Sequence, residues 1–420
     1  MEEQEIKQIV NKKVSLAKIA SMQLGLLDFK QRNAILLSIA DALEKNISEI
    51  QFHNDIDVET AKKSGMDKAL LDRLTLTTKR IEDMISGVRS IVNQEDPIGE
   101  IIETRDVDGI NIQKIRVPIG TIAMIYESRP NVTVDAAALC IKSGNAIVLR
   151  GGSEAINSNK ILAKIISSAG ESAGMPVGAI TFIDVVDRSA VSEMIKLDNY
   201  IDLLIPRGSG KMIEFIKQHS TIPILSHGSG LCHTYIDKAA DIDMAIKVTI
   251  NAKCQRPGVC NATETVLVHR DVANKVLPKL CKQFFEHDTE VRGCKLTKAI
   301  VPEVKDATEE DWATEYHDNI VSIKVVNSLE EAINHINRYG SKHSDSIITN
   351  DKQRAEKFLK EVDSAAVFHN VSTRLHDGGV FGLGAEIGIS TGKLHARGAM
   401  GARELTSTKF VVRGNGVIRK

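Results

Sequence analysis

The sequence predicts an α/β protein with a doubly wound parallel sheet, a second α/β lobe and a small β element. Three observations carry this reading. From Thr121 onward, short apolar runs alternate with helical stretches, the pattern of strands joined by helical crossovers. Several of those runs end in glycine-rich or polar loops, which is where a parallel sheet gathers ligand-binding chemistry. Between Ile98 and Val117, apolar and polar residues roughly alternate on both sides of a turn signal, as in a β-hairpin.

The first ~95 residues are expected to be helical, because apolar residues recur three or four apart. Ile35, Ile39 and Leu43 form one such stripe, Leu70 and Leu74 a second, and Ile81, Ile85, Val88 and Val92 a third. The hairpin follows, turning at Asp106-Val107-Asp108-Gly109. Strands are then expected near Thr121 to Tyr126, Ala146 to Leu149, Ala179 to Ile183, Ile201 to Ile205 and Ile222 to Leu225. Their carboxyl ends open into Tyr126-Glu127-Ser128-Arg129-Pro130, Arg150-Gly151-Gly152-Ser153 and Pro206-Arg207-Gly208-Ser209-Gly210-Lys211. A second helix and strand series runs from Asp241 to about Phe368. A cleft between two lobes is the expected result.

At 420 residues the chain exceeds one ordinary core, so two or three domains are expected. Lys plus Arg (54) nearly balances Asp plus Glu (55), which leaves no basic field for nucleic acid and no polybasic arm for a membrane. No apolar stretch approaches the roughly 20 residues that cross a bilayer. Met1-Glu2-Glu3-Gln4-Glu5 is acidic where a signal peptide is basic and then apolar. A cytoplasmic protein acting on a small molecule is therefore expected. The six cysteines show no CxxC pair, which signals neither a disulfide framework nor a metal site.

Cys260 is the leading candidate for chemistry. It follows the turn Gln255-Arg256-Pro257-Gly258-Val259 and precedes the apolar run Val266 to Val268. A turn of this kind can aim a sulfur and several N–H groups in one direction, and a thiolate attacks carbonyls well. A buried structural cysteine is the competing reading. Cys254 falls at the end of a helical stretch, and a resolving or metal role there is disfavoured. Gly208-Ser209-Gly210-Lys211 follows a strand and opens a helix, so its N–H groups could meet a phosphate. It is no Walker A loop, because position 205 is Ile, and no GxGxxG fingerprint, because position 213 is Ile. Any dinucleotide is bound in some other manner.

Four segments, Arg116 to Arg150, Leu204 to Gly210, Asn251 to Val268 and Asn370 to Glu404, together resemble the aldehyde dehydrogenase superfamily. Within it, the likeness is close to the branch that reduces the acyl phosphate L-glutamyl 5-phosphate. The resemblance implies that Cys260 is the nucleophile and that NADPH is the cofactor. Arg150 matches the lysine that holds the adenosine ribose; Gly208 and Ser209 match the turn beside the cofactor phosphates, with Gly151 and Ser153 in the neighbouring loop. The superfamily's oxyanion asparagine lies in a Pro-Trp-Asn-Phe-Pro segment, which here reads Tyr126-Glu127-Ser128-Arg129-Pro130. Ser128 and Asn131 are the candidates to replace it, beside the Cys260 N–H. Hydrolytic members carry Glu-Leu-Gly-Gly, whose glutamate activates water, whereas this chain reads Leu225-Ser226-His227-Gly228-Ser229-Gly230. The missing base favours acyl-phosphate reduction over a hydrolytic aldehyde dehydrogenase, the main alternative.

Arg129, Arg374 and His376 are the expected phosphate or α-carboxylate contacts, and Glu127 and Glu386 the expected α-ammonium contacts. The resemblance assigns residues 1–97 and 118–227 to a cofactor domain, 228–404 to a catalytic domain, and 98–117 with 405–420 to an oligomerisation element. A homodimer or homotetramer is expected. A separate glutamate 5-kinase is the implied supplier of substrate.

Overall fold

A computed structural model describes residues 2–226 and 229–419. The chain divides into two compact units. Unit 1 comprises Met1–Ser226, Gly382–Gly388 and Met400–Lys420; unit 2 comprises His227–Phe381 and Ile389–Ala399. The hairpin and the C-terminal strand thus belong to unit 1, the strand within the second of its two returning segments.

Unit 1 opens with the helices Glu3–Leu24, Phe29–Lys45, Ile47–Lys63, Lys68–Leu74 and Thr78–Val92, the cover that the apolar spacing predicts. A capping box starts the second: the Asp28 side chain accepts the Gln31 N–H, and the Gln31 side chain accepts the Asp28 N–H, each at 2.8 Å. Ile6, Val10, Val14 and Ala17, one face of the first helix, pack with Ala123, Ile125 and Val148 of the sheet. The antiparallel hairpin joins β1 (Ile101–Val107) to β2 (Ile110–Pro118). Its two turn residues, Asp108 and Gly109, have φ of 48° and 82°, the left-handed pair that matches strand twist in a two-residue turn. The C-terminal strand Thr406–Gly414 pairs antiparallel with the other edge of β2.

The parallel sheet of unit 1 contains β3 (Thr121–Tyr126), β4 (Ala146–Gly151), β5 (Ile180–Phe182) and β6 (Leu203–Arg207), in the order β5-β4-β3-β6. The expected fifth strand at Ile222 to Leu225 does not form. Only a single bridge, Leu204 to Ile224, is made there. Pro223 interrupts the segment, and without an N–H it cannot donate to a ladder.

Unit 2 holds a seven-stranded sheet of β7 (Cys232–Ile236), β8 (Thr263–His269), β9 (Glu290–Gly293), β10 (Lys305–Asp306), β11 (Ile320–Val326), β12 (Ser344–Ile348) and β13 (Ala366–His369). The order is β10-β9-β11-β8-β7-β12-β13, with parallel pairing throughout. β8 is central and every residue of it is buried, as in a sheet covered on both faces. Val266, Val268, Leu277, Leu280, Phe284 and Ile323 lie in its main core. Among the described residues, no helix is long and apolar enough to cross a membrane.

Candidate active site

The predicted residues fall into two groups, one on each unit. In unit 1, strand register brings three loops together: Tyr126 at the end of β3 lies opposite Gly151 of β4 on one side and Arg207 of β6 on the other. The loop after β3 therefore stands beside the other two. Glu127 accepts the Ser209 N–H on Oε2 at 2.7 Å, so its carboxylate occupies the N-terminal end of the helix Gly210–His219, where an anion is favoured. A methyl group on Gly208 would lie 2.5 Å from that oxygen, so a larger residue there would displace the Glu127 carboxylate.

Ser128 takes a left-handed backbone, φ 46°. Its N–H and hydroxyl both donate to Glu154 Oε1, at 2.6 and 3.0 Å. Asn131 donates through Nδ2 to Asp135 Oδ2 at 2.8 Å. The donors of both oxyanion candidates are thus directed at carboxylates. Burial raises the Asp135 acid to about 6; the Asn131 hydrogen bond opposes this, the charge of Glu386 adds to it and that of Arg207 opposes it. Glu386 therefore lies within electrostatic reach of Asp135, a residue the sequence reading passed over. Arg129 is half-buried on the same loop, and Ser153 is exposed at the start of a 3₁₀ turn.

Arg150 is nearly buried, with Nη1 donating to Gly151 O at 3.0 Å and Nη2 to Val186 O at 2.8 Å. Its Nε is buried with no partner. Burial lowers its pKa, opposed by Glu154 and Glu127, while the nearby Arg188 lowers it further. Arg188 is exposed on the segment that follows β5; its sequence signal was a cation just beyond a strand end.

In unit 2, Cys260 is partly exposed in the turn before β8. Its main chain is closely held. The Cys232 thiol at the start of β7 donates to Cys260 O at 3.2 Å, and burial raises the Cys232 pKa so that it keeps its proton. Gly230 packs directly on the Cys260 peptide: a methyl group there would lie 2.2 Å from the Cys260 carbonyl oxygen and 2.4 Å from its Cα. Asn261 is buried, donates through Nδ2 to His376 O at 3.0 Å, and accepts the Arg374 guanidinium on Oδ1. Arg374 also donates through Nε to Gln255 Oε1 at 2.9 Å. Burial lowers the Arg374 pKa, helped by Arg256 and opposed by Asp377 and Cys260. A guanidinium thus sits within electrostatic reach of the sulfur.

His376, expected as a substrate contact, is only 1 % exposed. Its Nδ1 meets Ser344 Oγ at 2.8 Å, its ring lies 5.3 Å from that of His343, and burial holds its pKa down at about 3. It is a packed interior imidazole whose main-chain carbonyl serves the site through Asn261. Sequence reasoning missed Asn261 and Cys232; Asn261's only signal was adjacency to Cys260, and Cys232 gave none. In Leu225 to Gly230, residues 227 and 228 lie outside the described residues.

One α/β unit carries glycine-bearing loops at its strand ends and the other the Cys260 turn, and the sequence profile of the aldehyde dehydrogenase family matches residues 3–291. The chain belongs to the aldehyde dehydrogenase family. Within it, the chain is similar end to end to gamma-glutamyl phosphate reductases. That of Thermodesulfovibrio yellowstonii is 53 % identical over 99 % of this chain and 100 % of its own length. The crystal structure of the Thermotoga maritima gamma-glutamyl phosphate reductase superposes with a TM-score of 0.94 at 47 % identity, covering 98 % of this chain and 100 % of the other. An engineered glycolyl-CoA reductase with bound NADP+ shares the fold at a TM-score of 0.71 and 14 % identity, with 96 % of each chain covered.

Proposed function

We propose that this oxidoreductase reduces L-glutamyl 5-phosphate to L-glutamate 5-semialdehyde with NADPH, releasing inorganic phosphate, as a cytoplasmic step of proline biosynthesis. The observation that carries the chemistry is the pinned, partly exposed Cys260 turn with the Arg374 guanidinium beside it. The end-to-end similarity to gamma-glutamyl phosphate reductases supports the choice of substrate.

The Cys260 thiolate attacks the γ-carbonyl, and the C–O bond to phosphate breaks as phosphate leaves with the electron pair, giving a thioester. Phosphate is a good leaving group, so the step needs oriented donors and cations more than a strong acid. The Cys260 N–H and the side chains of Arg374 and Arg129 are the proposed donors. Glu127 and Glu386 are the proposed acceptors of the α-ammonium. Ser128 and Asn131 would serve an oxyanion only by giving up Glu154 and Asp135. Reduction of the thioester yields a hemithioacetal, whose collapse restores the thiolate and frees the semialdehyde.

The unit 1 loops fit a nicotinamide dinucleotide, which supplies the hydride when bound. Arg150 keeps a buried N–H without a partner, and the helix N-terminus beside Gly208 is held by the Glu127 carboxylate, which a cofactor phosphate would have to displace. Gly151, Ser153, Gly208 and Ser209 are the proposed cradle. Arg150 and Arg188 form a paired positive site suited to a ribose phosphate. Replacing Arg188 by alanine is expected to raise the KM for NADPH about tenfold, the loss of one charge-assisted contact, and to leave the KM for NADH unchanged. Steady-state kinetics with both cofactors decides it.

Sheet β1-β2 with the C-terminal strand displays Ile101, Val107, Phe410 and Val412, each about half exposed or more. These apolar side chains support assembly into a dimer or tetramer. The kinase that supplies the acyl phosphate is taken to be a separate glutamate 5-kinase.

The reverse reaction tests the function. Oxidation of glutamate 5-semialdehyde by NADP+, followed by cofactor absorbance, is expected to require inorganic phosphate strictly. Turnover that ignores phosphate means that water resolves the thioester, and the hydrolytic alternative then stands.

A further inference from the structure

One buried charged pair takes no part in the chemistry above. The Lys253 ammonium and the Glu264 carboxylate, both fully buried, meet at 2.6 Å within unit 2. Lys253 lies in the last turn of the helix Ile242–Cys254, and Glu264 is the second residue of β8. The pair therefore joins the two anchors of the turn that carries Cys260.

The register of β8 is a separate observation that points the same way. Cys232 pairs with Thr263 and His233 with Thr265, so Glu264 has no opposite residue on β7. The register shifts here, a local irregularity of the parallel ladder that leaves the Glu264 side chain unmatched across the pair. The His317 N–H reaches Glu264 Oε1 at 3.4 Å, and the Tyr316 ring centre lies 6.0 Å from Lys253 Nζ. Burial raises the Glu264 acid to about 7 against the pull of Lys253, and Glu315 adds to the rise.

Stability alone is a weak reason for such a pair, because apolar residues of similar volume in place of a buried ion pair are often neutral or stabilising. What an apolar pair lacks is directionality. We propose that Lys253 and Glu264 are positioning residues: their bond fixes both ends of the Cys260 turn against β8 and so sets where the thiol meets a substrate carbonyl. The inference rests on Cys260 as the nucleophile.

The test uses the full-length protein and reads three quantities: melting temperature, turnover, and the rate at which iodoacetamide alkylates Cys260 across pH, followed by mass spectrometry of its peptide. The double variant Lys253→Met/Glu264→Leu is expected to melt at or above the parent temperature. Its alkylation and turnover are expected to fall together by on the order of 10²-fold, the cost of roughly 1 Å of misplacement. Glu264→Asp keeps the charge and shortens the reach, and is expected to slow both with the fold intact. A folded double variant that alkylates and turns over within about twofold of the parent overturns the proposal. Should the double variant not fold, Glu264→Asp decides alone, and parent-like alkylation in it overturns the proposal. Slow alkylation with unchanged turnover supports the positioning of the thiol but overturns Cys260 as the nucleophile.

Discussion

Replacement of Cys260 by alanine is expected to lower turnover by on the order of 10⁴-fold or more while leaving NADPH affinity unchanged. The size follows from the role, because removing a covalent nucleophile abolishes the pathway that splits one difficult step into two easier ones. The selectivity follows from the fold, since the proposed cofactor loops belong to unit 1 and Cys260 to unit 2. Cys260 takes part in no disulfide, and its truncation removes no large core side chain, so the melting temperature is expected to stay near that of the parent. Turnover and NADPH fluorescence titration, measured on one preparation, are the readouts. An alanine variant that keeps even a tenth of the activity removes Cys260 from the mechanism.

The second large effect is expected at Gly230. Its added methyl group would lie within 2.7 Å of three main-chain atoms of Cys260, the carbonyl oxygen, Cα and carbonyl carbon. Main chain cannot swing aside as a side-chain tip can, so either the turn or the start of β7 must move. Gly230→Ala is expected to cost about 1–3 kcal/mol of stability, as overpacking does, and to reduce turnover about 10²-fold by displacing the nucleophile. Gly87 is the control. A methyl group there meets nothing closer than Gly384 O at 3.9 Å, and the residue lies inside the helix Thr78–Val92. Gly87→Ala should gain roughly 0.5–1 kcal/mol from helix propensity with activity unchanged. Equal effects in the two variants would remove the contact with Cys260 as the cause.

Much of the fold was legible because periodicity survives in tertiary context. The helical stripe of Ile35, Ile39 and Leu43 is buried as its spacing predicts, and the Asp108-Gly109 turn forms where the sequence marks it. The missing strand at Ile222 to Leu225 shows the limit: its composition is strand-like, but the hydrogen-bonding vacancy of Pro223 outweighs it. At the site, residue type and loop placement were legible, whereas partners were not. Nothing local to Glu127 announces that its carboxylate meets the Ser209 N–H. His376 lies in a glycine-flanked polar stretch that reads as surface, yet Ser344 and His343 enclose it. The register shift at Glu264 depends on pairing between β7 and β8, which no single strand encodes.

The routing of the chain bears on the order of events during synthesis. Unit 1 is interrupted by unit 2 and resumes at Gly382 and again at Met400. β2 acquires its second neighbour only from Thr406–Gly414. While a ribosome is still making the later residues, the outer edge of β2 lacks that partner, and an open edge invites pairing with other chains. Unit 2 has nearly all of its residues at hand before unit 1 can close. Maturation is therefore expected to finish in unit 1, with closure of the small antiparallel sheet as a late and slow step, since pairing across long sequence separations delays folding.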